Sequence, residues 1–326
     1  MNRRNRDRRV LPAALLALVA VTVSGCAVSK DSAGEVKSGS IQKIDALKGA
    51  KVTVGSKDFD EQLLLGQVAI VALQAAGATP VDKTNIQGSN NTRLALTGGE
   101  IDLYWEYTGT AWISYLKKTE PIADSQKQYD AVVKADVSNG VTWWDRAPAN
   151  NTYALAQTQA TLTKYGVKTL SDYAALAKNN PAAASMCLES EFRSRDDGFP
   201  GVEKTYGFKL PSASMHVLDT AVVYTELAKD GAACNFGEVF TTDGRVASLK
   251  LDVIKDDKNF FPIYNPALAV RNTVATKYPG IEALFTPIAA KLTTEALTAM
   301  NKEVSVDGKK PRTVAETWLR SEGFVG

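Results

Sequence analysis

The apolar positions of this chain fall into short runs of two kinds, and the two kinds alternate. Residues 51–55 form a brief Val-rich run, and Ile101, Leu103 and Trp105 recur at every second position; both patterns suit strands. Between them, residues 61–74 place Leu63, Leu64, Val68, Val71 and Ala72 on or near one face of a helix. The same style predicts strands at 84–87, 141–144, 153–156 and 267–270. Helices are expected at 91–96, 130–137, 171–177, 202–206, 219–229, 281–292, 294–301 and 313–321. Strands that alternate with helices indicate an α/β fold. No Gly/Pro-rich linker divides the chain. Two short strand-like crossings, near 150–153 and 264–267, are the better boundaries. They predict a second domain inserted into the first, with a cleft between two lobes and two hinge strands. The expected division is lobe 1 at 46–150 and 266–326, and lobe 2 at 151–265. A single continuous doubly wound domain is the alternative.

The N-terminus departs from this pattern. Five arginines within residues 3–9 precede an almost wholly apolar run from Val10 to Val23. That run is short for a membrane-spanning helix, which needs about 20 residues, and suits the core of a signal peptide. It ends in Val23-Ser24-Gly25-Cys26, which resembles the lipobox of bacterial lipoproteins. The resemblance implies cleavage after residue 25, a lipid on Cys26, and anchoring at the outer face of the cytoplasmic membrane. Residues 26–45, rich in Ser, Gly, Lys and Asp, read as a flexible tether.

Charge changes its meaning once residues 1–25 are set aside. The whole chain is formally +2, but that segment carries five arginines and one aspartate, so the remaining 301 residues are −2. Nothing then argues for nucleic acid. Cys187 and Cys234 are the only other cysteines. In an exported protein such a pair invites a disulfide within the inserted lobe, with two free thiols as the alternative.

Catalytic patterns are sparse. His216 is the sole histidine and sits among apolar neighbours, which favours a structural role. The chain has no Cys-x-x-Cys, no His-Glu-x-x-His, no phosphate loop and no Gly-x-Ser-x-Gly elbow. No metal or cofactor is expected. An enzyme would have to work without the usual neutral-pH base.

Several segments, in order, resemble one family: Gly55-Ser56-Lys57-Asp58-Phe59-Asp60-Glu61-Gln62, Gly99-Glu100-Ile101-Asp102-Leu103-Tyr104, Glu106-Tyr107-Thr108-Gly109-Thr110, Asn150-Asn151-Thr152-Tyr153, Glu191-Phe192 with Arg195-x-Asp197-Gly198, Phe240-Thr241-Thr242-Asp243-Gly244-Arg245 and Phe260-Phe261-Pro262-x-Tyr264. They are similar to the substrate-binding proteins of osmoprotectant ABC transporters, over about residues 50–325. The resemblance implies a bilobed periplasmic-binding fold of type II and a small quaternary ammonium ligand. It implies ABC permease subunits as partners, and a monomer. A trimethylammonium group donates no N–H bond, so it is held against aromatic faces that also bury its methyls. By motif, that cage corresponds to Tyr107, Tyr153, Phe240 and Tyr264, with Phe240 in place of the usual tyrosine. Arg195 corresponds to the arginine that takes a ligand carboxylate, and Lys57 to a polar or cationic position at the same site. Thr110 stands where choline binders tend to have an acid, which tilts the choice toward betaines. Choline, ergothioneine or another solute on the same fold are alternatives. A secreted enzyme or a structural lipoprotein stands further off. Tyr104, Trp105, Trp143 and Trp144 are expected to pack in the core.

Overall fold

The structure, a computed structural model, describes residues 36–118, 120–229 and 233–326. The signal segment, Cys26 and residues 26–35 of the expected tether lie outside the described residues. Residues 37–41 lie against the C-terminus, and the Ile44 N–H donates to the Ala76 carbonyl. Ser38 bridges Val325, Ser40 N–H donates to the Gly323 carbonyl at 2.8 Å, and Ile41 is buried.

Among the described residues, ten strands make two five-stranded sheets. The first contains β1 (Lys51–Lys57), β2 (Thr79–Ile86), β3 (Leu103–Tyr107), β4 (Val141–Arg146) and β10 (Pro266–Arg271), in the order β2-β1-β3-β10-β4. The second contains β5 (Tyr153–Gln157), β6 (Met186–Leu188), β7 (Met215–Val217), β8 (Phe236–Phe240) and β9 (Asp252–Val253), in the order β7-β6-β8-β5-β9. Each sheet follows one plan. Three parallel strands stand side by side, and the fourth strand in the order runs antiparallel to both neighbours. In each sheet that fourth strand is the one that follows a crossing from the other sheet, β5 after β4 and β10 after β9.

The two crossings run side by side. Ala147 N–H donates to the Pro266 carbonyl at 2.7 Å, Asn151 N–H to the Tyr264 carbonyl at 3.1 Å, and Tyr264 N–H to Asn150 Oδ1 at 2.8 Å. This antiparallel geometry sets the level of the residues at the sheet ends. Tyr107 stands opposite Pro266, and Tyr153 opposite Phe240.

The helix Asp60–Ala75 leaves β1 with Asp60 and Glu61 in its first turn, where acidic groups complement the helix dipole. Twelve of its sixteen residues are buried, more than a one-faced pattern implies. It is sandwiched between the first sheet and the helices Thr294–Ser305 and Pro311–Ser321, so its outer face is covered too. Gly88, at φ 77° in the left-handed region, turns the chain from β2 into the helix Ser89–Gly98 and brings that helix's N-terminus to the cleft.

Several expected elements shift. The strand expected at 101–105 runs two residues later, because Ile101 packs beneath Gly55 and the ladder begins at Leu103. Between 249 and 261, Asp252–Val253 pairs at a sheet edge and Lys255 forms an isolated parallel bridge with Thr169. Two of the carboxylates there are hydrogen-bonded within the fold: Asp256 accepts from the Tyr206 hydroxyl, and the exposed Asp257 from the Ser171 amide and hydroxyl. Tyr104, Trp105, Trp143 and Trp144 are buried, and His216 sits half-buried on the edge strand β7. Cys187 on β6 and Cys234, just before β8, are joined by a disulfide with a Cα–Cα distance of 5.6 Å. The two strands are parallel neighbours, which brings the cysteines together.

Candidate functional site

The ends of β1, β3 and β8, the start of β5 and the approach to β10 converge on one cavity of about 550 Å³. It lies outside the carboxyl ends of parallel strands, where α/β sheets usually hold ligands. Lys57, Tyr107, Thr110, Tyr153, Phe240 and Tyr264 all line it; Arg195 does not.

The aromatics form one connected group. The Tyr153 ring lies 5.1 Å from Phe240 and meets Tyr264 edge-on at 5.5 Å. Phe59, not among the expected cage residues, stacks on Phe240 at 5.1 Å and on Tyr107 at 6.2 Å. It joins rings from the two sheets and contributes a fifth aromatic to the lining. Phe240 has no hydroxyl to place, and here it needs none: both of its ring partners are faces or edges of other rings. Burial holds the Tyr107, Tyr153 and Tyr264 hydroxyls protonated, well above the usual phenol range.

Tyr264 is seated by Gly109. A Cβ on Gly109 would lie 2.7 Å from Tyr264 Cδ1 and 2.9 Å from the Ile263 carbonyl oxygen. Gly109 stands in the short helix Thr108–Thr110 without a positive φ; what the position requires is the space left by a missing side chain.

The polar side of the cavity is already paired. Lys57 Nζ donates to the buried Glu106 at 2.7 Å and lies 5.1 Å above the Tyr107 ring. Glu106 also accepts from the Tyr104 and Tyr115 hydroxyls. The Arg195 fork grips Asp197 through Nε and Nη2 at 2.7 and 2.5 Å. Its Nη1 donates to Glu191 at 2.6 Å, its Nη2 to Thr110 Oγ1 at 3.2 Å, and its Cζ lies 5.7 Å from the Tyr153 ring centre. Asp197 also accepts from the Tyr264 hydroxyl at 2.8 Å. Arg193 is exposed. Charged residues of the lining number two cations, Lys57 and Arg245, against five carboxylates, Asp58, Asp60, Glu189, Glu191 and Asp219.

Glu61 is a further member that the sequence reading missed. It is buried and accepts four bonds, from Tyr107 Oη, Asn151 Nδ2, Thr242 Oγ1 and Asn301 Nδ2, at 2.6 to 2.9 Å. Burial pushes its pKa up, against the lowering effect of those four donors. One carboxylate thus ties a cavity tyrosine, a crossing segment, the end of β8 and a C-terminal helix together. Glu61 and Asn151 stood within family-like segments, but the meetings of Glu61 with Asn151 and with Asn301 could not be read from spacings of 90 and 240 residues.

Residues 50–321 match the family model for the substrate binding domain of the ABC-type glycine betaine transport system. The chain belongs to this family. It is 34% identical to a glycine-betaine-binding protein of Pseudomonas aeruginosa, over 83% of this chain and 88% of that one. It is 31% identical to an ergothioneine transport permease/ergothioneine binding protein, EgtU, of Helicobacter pylori, over 86% of this chain but 49% of that one. The solved structure of apo YehZ from Escherichia coli superposes with a TM-score of 0.61 at 32% identity, covering 85% of this chain and all of that one. The bilobed α/β fold of type II, expected from the resemblance, is the fold observed. Members of the family are extracytoplasmic solute-binding proteins that take small quaternary ammonium ligands and work with ABC permease components. No helix among the described residues is long and apolar enough to cross a membrane.

Proposed function

We propose that this protein is the solute receptor of an ABC importer and captures a quaternary ammonium zwitterion such as glycine betaine, without chemical turnover. The observation that carries this reading is the cavity lined by Phe59, Tyr107, Tyr153, Phe240 and Tyr264. Ring faces and edges bury methyl groups and attract a cation without needing a donor from it. Lobe 1 at 46–150 and 266–326 and lobe 2 at 151–265 close on the ligand about the paired crossings. Water leaves the cleft, and the aromatic contacts strengthen. The ligand carboxylate is assigned to Arg195 and Lys57: Arg195 sits behind the lining residues Glu191 and Thr110, to which it donates, and beside the Tyr153 ring, and Lys57 lies over the Tyr107 ring. A lipid on Cys26 holds the monomer at the membrane, where the closed form meets the permease.

A second reading rests on the charge of the lining. Five carboxylates against two cations favour a ligand with net positive charge, such as choline, whereas Thr110 favours a betaine. Ergothioneine, itself a trimethylammonium betaine, fits the same aromatic group. Calorimetric titration of the mature domain with glycine betaine, proline betaine, carnitine, choline and ergothioneine separates these ligands. Binding no tighter than millimolar to all five refutes the reading.

A further inference from the structure

Every cation near the proposed carboxylate position already has an anion. Lys57 holds Glu106, and Arg195 holds Asp197 on one edge and Glu191 on the other. Asp197 is almost fully buried and is fastened by two bonds from the Arg195 fork and one from Tyr264, so it belongs to the framework. Glu191 is placed differently. It stands at the cavity wall with its side chain 25% exposed, on the short helix Ser190–Ser194 of the second sheet's half. Its carboxylate reaches across to the first sheet's half. Oε2 accepts the Ser89 N–H at 2.9 Å, at the start of the helix Ser89–Gly98, and Oε1 accepts Arg195 Nη1 at 2.6 Å. A backbone N–H at a helix start and one N–H of a guanidinium are the donors that an incoming carboxylate would need. The protein supplies its own carboxylate to them.

We propose that Glu191 decides ligand choice by holding these donors itself. A ligand carboxylate gains Ser89 N–H and Arg195 Nη1 only by displacing Glu191. A ligand with no carboxylate leaves Glu191 in place and is drawn by its charge. Glu191 is therefore a specificity-determining residue: it disfavours zwitterions and favours cations. This inference rests on the trimethylammonium reading of the cleft. It differs from that reading in predicting opposite signs for two ligands that share the same cationic group.

The test is calorimetric titration of glycine betaine and choline into the wild type, Glu191→Gln and Glu191→Ala. Both variants should bind glycine betaine about tenfold more tightly and choline about tenfold more weakly than the wild type. Equal weakening of both ligands would make Glu191 a closing contact only and overturn the inference; so would no change in either. Thermal unfolding in 100 mM sodium acetate against 100 mM sodium chloride gives a readout that needs no quaternary ammonium ligand. Acetate should raise the melting temperature of the variants, and raise it more than that of the wild type. If the wild type binds neither ligand, the trimethylammonium reading fails, and the acetate comparison alone decides on Glu191. An equal acetate shift in all three proteins then overturns it.

Discussion

Replacing Gly109 by alanine should test how tightly the cavity wall is built. Gly109 lies in the short helix Thr108–Thr110 that follows β3, and its φ is not in the left-handed region, so the perturbation is one of space. The new Cβ would sit 2.7 and 2.8 Å from two Tyr264 ring carbons, about 0.7 Å short of ordinary contact. The ring has little freedom to yield. Its hydroxyl is held by Asp197 at 2.8 Å, its amide by Asn150 at 2.8 Å, and its edge packs on Tyr153. Overpacking of this kind costs about 1–3 kcal/mol, which for a chain of this size lowers the melting temperature by roughly 2–6 °C. A displaced Tyr264 also moves its contribution to the cavity. Loss of about 1–2 kcal/mol of binding weakens affinity roughly five- to thirtyfold. Scanning calorimetry reads the first effect and titration with the tightest quaternary ammonium ligand reads the second. In a Tyr264→Ala background the stability penalty of Gly109→Ala should fall without vanishing, since the clashing ring is gone while the 2.9 Å approach to the Ile263 carbonyl oxygen remains. A Gly109→Ala protein with an unchanged melting temperature and a dissociation constant within twofold of the wild type would refute the reasoning.

Reducing the Cys187–Cys234 disulfide, which spans 47 residues in sequence, should lower the melting temperature while leaving affinity at 25 °C nearly unchanged, because neither cysteine lines the cavity. The chain-entropy model makes a loop of this length worth about 4 kcal/mol; unaltered unfolding after reduction would contradict it. Lys57→Met should leave Glu106 buried without its cation and destabilise the fold by about 3–5 kcal/mol, whereas Lys57→Met with Glu106→Gln should recover most of that loss in denaturant unfolding. Acid should weaken the contact between the two halves at Glu191. The Arg195 and Lys57 charges and the Ser89 N–H hold its pKa at about 2, below the ordinary 4.5, and they outweigh burial and the nearby Glu189 and Glu238. A depressed carboxyl stabilises fully above its unfolded value, and that share is lost as pH falls from about 4.5 toward 2. The melting temperature of Glu191→Gln should fall less steeply than that of the wild type across this window, and parallel curves would count against the contact.

What could be read from the chain divides by how far apart the partners lie. The α/β alternation and the two crossings were legible, because strand and helix periods are local. Four of the five aromatics that line the cavity were also legible, through short segments at or near the end or start of a strand. Phe59 was overlooked although it lay inside such a segment. A phenylalanine after a strand is ordinary core until the opposite sheet supplies Phe240 to stack on it. Glu61 could not be read at all, since Tyr107, Asn151, Thr242 and Asn301 meet it from four separate parts of the chain.

Arg195 marks a subtler limit. Its residue type and motif pointed to an anion; Asp197 and Glu191 hold it, and under the proposed function a ligand carboxylate competes with them. Two of these are within four residues of it, so a local ion pair was always available. Sequence spacing treats them as equivalent neighbours. The structure separates them by burial and reach, since Asp197 is locked by Tyr264 while Glu191 extends to Ser89 on the other side of the cleft. The consequence for ligand choice follows from that asymmetry. An arginine whose partners were all as buried as Asp197 would offer a ligand nothing. One whose partner can leave offers a site whose strength depends on what that partner gives up.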